Sequence, residues 1–416
     1  MRLGIVAVGS ELMTPFFQDT DSLFLTQKLN ELGLEVDFKF VVGDEPESLK
    51  LILSDAVEKA DLLFIIGGLG PTEDDRTREV LADVLGKKLV FQPEILQTIE
   101  KRFKSRGLVM PASNRRQAFI LEGATILPNR NGTAPGEWVE VEGKKIIILP
   151  GPPRELQPMF EEFVWPRLQS LRRSFLCRKV LKTAGMTESQ IEDQIKDLYP
   201  RESGLKVTLL AYPGQIEIHL TSLAENETLS RQKLDQLAKA FQSRLGVNIF
   251  SSEGEELEAV VGQLLRAAGQ TVAVAESCSG GLICHRLTAV PGSSDYFLEG
   301  VVVYSNQSKV KNLHIPAKII EQHGAVSQEV AQLMAENIRL KSGADLGLAT
   351  TGIAGPGGGT PNKPMGLVFV ALATSSETTV SRNLFLGSRE QVKFQASQKA
   401  LDMLRRYLLE KQREGK

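Results

Sequence analysis

Three short, mostly apolar runs, "RLGIVAVG" (2–9), "LEVDFKFVV" (34–42) and "DLLFIIG" (61–67), are separated by "DTDSLFLTQKLNELG" and "PESLKLILSDAVEKA", whose apolar residues recur at helical spacing. Few folds accept that order. Strands of this kind are covered on both faces, and parallel strands need crossovers of about this length. The first 170 residues therefore read as a doubly wound α/β sheet, with ligands expected beyond the carboxyl ends of its strands. At 416 residues the chain exceeds one ordinary core, so two or three domains are expected.

From about Phe175 to Phe250 the texture changes. The pattern predicts strand 176–184, helix 187–198, strands 206–212 and 215–222 joined at "YPGQ", helix 226–245 and a short strand 247–250. This is a small α+β module, expected to act as a spacer or a dimerisation element. A third α/β unit follows, with Ser252 in "SSEGEELE" as the expected cap of a helix over 255–268. It continues with strand 271–275, helix 280–289, helix 327–342, the strand "ADLGLATTG", a glycine-rich loop and "GLVFVALAT". The expected boundaries are 1–172, 173–252 and 253–416.

Net charge is −2 with both signs interspersed, so no basic stripe advertises a nucleic-acid surface and direct nucleic-acid contact is not expected. No secretory leader or membrane span is read at the start. Cys177, Cys278 and Cys284 are odd in number and widely spaced, which predicts reduced thiols and a cytoplasmic protein.

Two stretches carry chemistry. "FIIGGLGPTEDDRTREV" (64–80) is a strand, a glycine turn, an acidic pair and a helix. Gly67, Gly68 and Gly70 admit a phosphate close to the backbone, with Thr72 alongside. Asp74 and Asp75 can hold a divalent cation against a pyrophosphate, or one of them can cap the helix beginning at Arg76. "NGTAPGEWVEV" and "ILPGPPRELQPMF" add further loops, with Gly132, Thr133 and Gly136 as candidate lining; the plain alternative is tight turns. The second stretch, "VAVAESCSGGLICHRL" (272–287), sets Ser277, Cys278 and Ser279 where a strand hands over to a helix. On position alone Cys278 is the first choice of nucleophile, since a helix start lowers a thiol pKa; a buried structural thiol is as common. Arg389 opens a helix where its charge is unfavourable for the dipole, which suggests an anion nearby.

"GGLGPTEDDRT", "GTAPG" and "LPGPPRE", in this order, resemble the N-terminal, molybdopterin-binding-like domain of the CinA (competence/damage-inducible protein A) family. The middle module is similar to that family's KH-type domain but contains no Gly-x-x-Gly loop. "AESCSGG", "PGSSDYFLEGVVVYSNQSK", "HGAVS", "TTGIAGPGGGTPNKPMGLVFVAL" and "GSRE" resemble its nicotinamide-nucleotide amidase (PncC-like) domain. The resemblance implies deamidation of nicotinamide mononucleotide without a metal. It also implies metal-dependent hydrolysis of ADP-ribose in the N-terminal half, and a homodimer.

By the same resemblance Ser294 is the nucleophile, with Ser293 its close competitor. Tyr304 and Lys309 serve proton transfer, with a relay through Ser277 as an option and the proximal base left open among the three. Gly280, Gly281, Thr351, Gly352 and Arg389 bind substrate. One departure stands out. The family reads Asp-Thr-Asn after a short glycine-containing link, whereas this chain reads "GSELMTPFFQDTDSLF", with Asp21 for the Asn. If the segment lines the pocket, it bears on the specificity of this half and on whether it is active at all. The alternative readings are a non-enzymatic competence or DNA-damage-associated adaptor, and a protein that binds a nucleotide or pterin without turnover.

Overall fold

The computed structural model describes residues 1–170 and 175–414. The expected boundary at 172/173 lies outside the described residues. The chain forms two compact units, Met1–Leu176 with Leu223–Ser230, and Cys177–Ser222 with Arg231–Lys416.

The first unit runs β1 (Leu3–Val8), α1 (Thr20–Glu31), β2 (Phe38–Val42), α2 (Pro46–Lys59), β3 (Leu62–Ile66), α3 (Thr77–Leu85), β4 (Leu89–Phe91) and α4 (Pro93–Ser105). It continues with β5 (Phe119–Leu121), β6 (Thr125–Leu127), β7 (Gly136–Val141), β8 (Lys144–Leu149), α5 (Pro153–Met159) and α6 (Trp165–Gln169). The main sheet has the order β2-β1-β3-β8-β7-β6, and β2, β1, β3 and β8 are parallel. Every residue of β1 and β3 is buried, because apolar clusters cover both faces of the sheet. The helix starts follow from local chemistry: Asp19 caps α1 by accepting from the Ser22 amide, and Glu45 caps α2 with Pro46 in its first turn.

Next along the chain, β9 (Phe175–Ala184), α7 (Glu188–Ile195), β10 (Leu205–Tyr212), β11 (Gln215–Ala224), α8 (Glu227–Leu245) and β12 (Ile249–Ser251) follow the expected α+β order. Their sheet runs β10-β11-β9-β12. Next come α9 (Leu257–Ala268), β13 (Val272–Glu276), α10 (Leu282–Thr288), β14 (Phe297–Val302), α11 (Asn306–Leu313), α12 (Ala317–His323) and α13 (Gln328–Ser342). The chain closes with β15 (Leu346–Gly352), β16 (Leu367–Ala373), β17 (Thr378–Leu384) and α14 (Arg389–Glu414). The sheet order is β14-β13-β15-β16-β17, with β14, β13 and β15 parallel. Cores on its two faces bury α9, α10 and α14 on one side and α11 to α13 on the other.

Ser252 does not cap α9. The helix begins at Leu257 with Glu256 as its N-cap, and the Ser252 hydroxyl instead accepts from Gln242. The middle module is also bonded into the third region rather than strung beside it. Gln398 donates to Gln215 (3.0 Å), Lys182 pairs with Glu256 (2.5 Å), and Arg406 reaches the Ala184 carbonyl (3.2 Å). Among the described residues no helix is long and apolar enough to cross a membrane.

Candidate functional site

In each α/β sheet the first strand has its successor on one side and a later strand on the other, so the connections diverge at its carboxyl end and leave a crevice there. In the first unit that crevice is a cavity of about 600 Å³ at the ends of β1 and β3. Gly67, Gly68, Gly70, Thr133, Asp74 and Asp75 line it, as the sequence suggests. Gly67 adopts φ +94°, and a Cβ there would fall 2.2 Å from the Val8 carbonyl oxygen, so the strand end tolerates no side chain. The loop is fastened from behind. Thr77 donates to the Gly67 carbonyl (2.9 Å), while buried Arg78 joins Glu137 (2.5 Å) and the Pro135 carbonyl (2.6 Å).

Three candidates stand elsewhere. The Thr72 amide and hydroxyl both bind the Asp75 carboxylate and close the turn; Thr72 itself is not among the lining residues. Gly132 faces a neighbouring cavity shared with Arg102, Arg106 and Arg154. Gly136 sits buried in β7, where a Cβ would meet Met159 Sδ at 2.6 Å and the Ile148 carbonyl at 2.8 Å; its role is packing. Neither acid caps α3, whose N-cap Arg76 makes no side-chain cap bond.

The divergent segment does line the cavity, and with the end of β2 it brings a wall of acids that the glycine motifs did not reveal. Glu11, Asp19, Asp21 and Asp44 join Asp74, Asp75 and Glu155, and none of the lining residues is Lys, Arg or His. No three Asp, Glu, His or Cys side chains among the described residues converge on one metal-sized point. The donors are hard oxygens spread around the cavity. That set fits a cation carried in on phosphates better than one caged by protein.

Asp21 is 7% exposed, and its Oδ1 has no hydrogen-bond partner. Burial, with Asp19 adding like charge, pushes its carboxyl up to about 6. An acid raised in the folded state binds its proton there before it does unfolded, so stability falls as pH rises from about 4 to 6. Asp21→Asn should therefore raise stability at pH 8 by about 2 kcal/mol, allowing for solvent at the cavity's open side. Urea unfolding at pH 4 and pH 8 measures this, with the gain confined to the higher pH.

In the second unit the corresponding position is the carboxyl end of β13. Lys309 on α11 is fully buried. Its Nζ lies 3.0 Å from Ser277 Oγ, 2.8 Å from the Val303 carbonyl and 3.2 Å from that of Tyr304. Burial pushes this lysine down to about 8. A neutral amine has two hydrogens and one lone pair. With the hydrogens on the two carbonyls, the lone pair faces the Ser277 hydroxyl.

The expectation that Ser294 stands beside Tyr304 and Lys309 is not met. β14 pairs with β13 in parallel, Val272 beside Phe297 and Glu276 beside Val302. Ser294, three residues before Phe297, therefore lies at the amino edge of the sheet, and it is exposed. Its neighbour Pro291 accepts from Arg266 (2.6 Å), in the last turn of the helix leading into β13. Six residues of strand separate the two edges by about 20 Å. Ser293, in the same turn, shares that position.

Cys278 is buried in the apolar core, and burial pushes its thiol up to about 12, so the thiolate expected at a helix start does not form. The amides of Gly280 and Gly281 are not open to a bound ligand either. The Gly281 amide donates to the buried Glu276 carboxylate (2.9 Å), which also takes the Cys284 amide (2.8 Å), and the Gly280 amide bonds the Ser277 carbonyl. Glu276 thus occupies the helix start itself, a role the sequence reading missed. Thr351 is buried and donates to the Ala325 carbonyl (2.8 Å), fastening "HGAVS" rather than presenting its hydroxyl. Gly352 ends β15, where a Cβ would fall 2.6 Å from the Leu367 carbonyl. Arg389 is exposed at the first residue of α14 and bridges the glycine-rich loop to Tyr304. One nitrogen donates to the Gly355 carbonyl (2.7 Å) and the other to the Tyr304 hydroxyl (2.9 Å). The phenol of Tyr304 is thus engaged by Arg389, while its carbonyl meets Lys309.

Three domain families match the chain in order: probable molybdopterin binding domain over residues 4–170, damage-inducible protein CinA KH domain over 178–251, and CinA C-terminal domain over 254–408. A CinA-like protein of Koribacter versatilis is 45% identical over 410 residues, covering 97% of this chain and 99% of that one. A putative competence-damage inducible protein of Caldicellulosiruptor bescii is 43% identical over 98% and 99% of the two chains. The crystal structure of a competence-damaged protein (CinA) superfamily protein from Klebsiella pneumoniae is similar at 33% identity, covering 37% of this chain and 96% of that one, with a TM-score of 0.36. With full-length relatives at this identity and all three domains in register, the chain belongs to the CinA family.

Proposed function

We propose that the second unit hydrolyses the carboxamide of nicotinamide mononucleotide, with Ser277 as nucleophile and Lys309 as its base. The observation that carries this reading is the 3.0 Å contact between Ser277 Oγ and a buried amine whose pKa is near 8. Serine activated by an unprotonated lysine is an established alternative to the histidine triad.

Ser277 Oγ attacks the carboxamide carbon as its proton passes to Lys309 Nζ. The lysine returns that proton to the departing nitrogen, ammonia leaves, and an ester remains on Ser277. Water then attacks the ester with the same amine as base, releasing nicotinate mononucleotide and restoring the serine. Arg389, steadied by Gly355 and Tyr304, receives the ribose phosphate. Thr351 and Gly352 hold the loop that faces it.

The first unit, in the same reading, hydrolyses the pyrophosphate of ADP-ribose with a divalent cation held by Asp74 and Asp75. When bound, the ion neutralises the phosphates and polarises them toward water. Seven carboxylates without a base among the lining residues repel a dianion unless a cation accompanies it. EDTA should therefore abolish both AMP formation and calorimetric binding of ADP-ribose, while ammonia release from nicotinamide mononucleotide by the same full-length sample continues. Ammonia release that also stops with EDTA, or never occurs, would sink the amidase reading.

A further inference from the structure

We propose that Phe17 and Asp21 form a ring subsite in the N-terminal cavity: Phe17 stacks on a planar heterocycle, and Asp21 Oδ1 accepts a hydrogen bond from its amino group. Both residues belong to the segment that departs from the family pattern, and both line the same cavity of about 600 Å³.

Two observations carry this independently. Buried polar atoms in folded proteins almost always find partners, yet Asp21 Oδ1 has none in a residue 7% exposed. An ionised carboxylate only accepts, so the missing partner is a donor. Phe17, in contrast, is 64% exposed at the cavity's edge and is the one aromatic residue among the lining side chains. A bare ring beside carboxylates is a poor surface in water and a good platform for a flat heterocycle, which gains stacking as it covers the ring.

The remaining acids restrict what the heterocycle can be. A ring edge that offers only acceptors meets like polarity at Asp21, whereas an exocyclic amine meets a vacant acceptor. Adenine presents that amine, and its phosphates then extend toward Asp74, Asp75 and the Gly67 loop. The proposal rests on the reading that this cavity takes ADP-ribose; an aminopterin-type ring shares the same donor chemistry.

The test uses the full-length protein, magnesium and the non-cleavable α,β-methylene analogue of ADP-ribose, titrated calorimetrically at pH 8 beside its 6-deamino counterpart. Wild-type protein should bind the amino compound about 10- to 100-fold more tightly, the value of a hydrogen bond to a charged acceptor. Asp21→Ala should bind the two compounds alike. Phe17→Ala should weaken both by about tenfold without changing their ratio, and Phe17→Trp should retain affinity. Equal affinity of the two compounds for wild-type protein overturns the role of Asp21. An unchanged Phe17→Ala overturns the platform.

Should neither nucleotide bind, 2-amino-4-oxopteridine is titrated into wild-type protein and the two alanine variants. Binding lost in both alanine variants keeps the ring subsite and fells the ADP-ribose reading. No binding of any of these compounds overturns both.

Discussion

Ser277→Ala is expected to lower ammonia release from nicotinamide mononucleotide by about 10³-fold or more, while Ser294→Ala stays within a few-fold of wild type. The contrast follows from where the two hydroxyls lie. Ser277 is 7% exposed, beside the Lys309 amine, at the carboxyl end of β13. Ser294 is exposed in a turn at the other end of the neighbouring strand. Ser277→Ala removes one oxygen from a site otherwise held by backbone bonds, so its fold should survive; a thermal midpoint close to wild type checks that. Rapid mixing adds a second readout, because an ester on Ser277 gives a burst of ammonia ahead of the steady state. Full activity in Ser277→Ala, with loss in Ser294→Ala, would reverse the assignment.

Lys309→Met should lower the same rate by about 10²- to 10⁴-fold, the usual worth of a positioned base. The thioether chain fills the buried channel without a charge. On the proposed mechanism the active form in wild-type protein is the unprotonated amine. Its folded-state value is depressed to about 8, so kcat/KM should climb tenfold per pH unit below 8 and level off above it. A residual rate in Lys309→Met that no longer climbs through that window ties the limb to this side chain. Cys278→Ala should leave the limb in place, since the thiol is protonated throughout the range and packed in the core.

Much of the scaffold was readable beforehand, for a simple reason. β1, β3, β13, β15 and β16 are buried strands whose side chains are mostly apolar on both faces, and the helices between them repeat at the period of one covered face. Turn glycines beyond β3 and β15 marked the two crevices. Partner choice within a crevice was not readable, because it depends on which end of a strand a loop occupies. The run from Pro291 to Lys309 looks continuous in sequence, but β14 lies within it and carries its two ends to opposite edges of the sheet. Ser277 and Lys309, 32 positions apart, meet only through the parallel pairing of β13 and β14. Asp21 was visible as a departure, yet its isolation could not be seen until α1 buried it. Acids just past the ends of β1 and β2, such as Glu11 and Asp44, were a usable signal that the glycine motifs overshadowed.

α14 links two parts of the second unit. It begins with the guanidinium assigned to the nucleotide and, four turns later, carries Arg405 and Arg406. Arg405 is almost wholly enclosed and donates to the Val247 carbonyl (2.7 Å); Arg406 binds Asn248 (2.9 Å). Cutting the chain at 252 to isolate the final region would strip those acceptors and leave Asp402, on the same helix, as the shared partner of both guanidinium groups. Domain-swapped chimeras that keep this rod and the segment that seats it together are therefore joined upstream of Cys177.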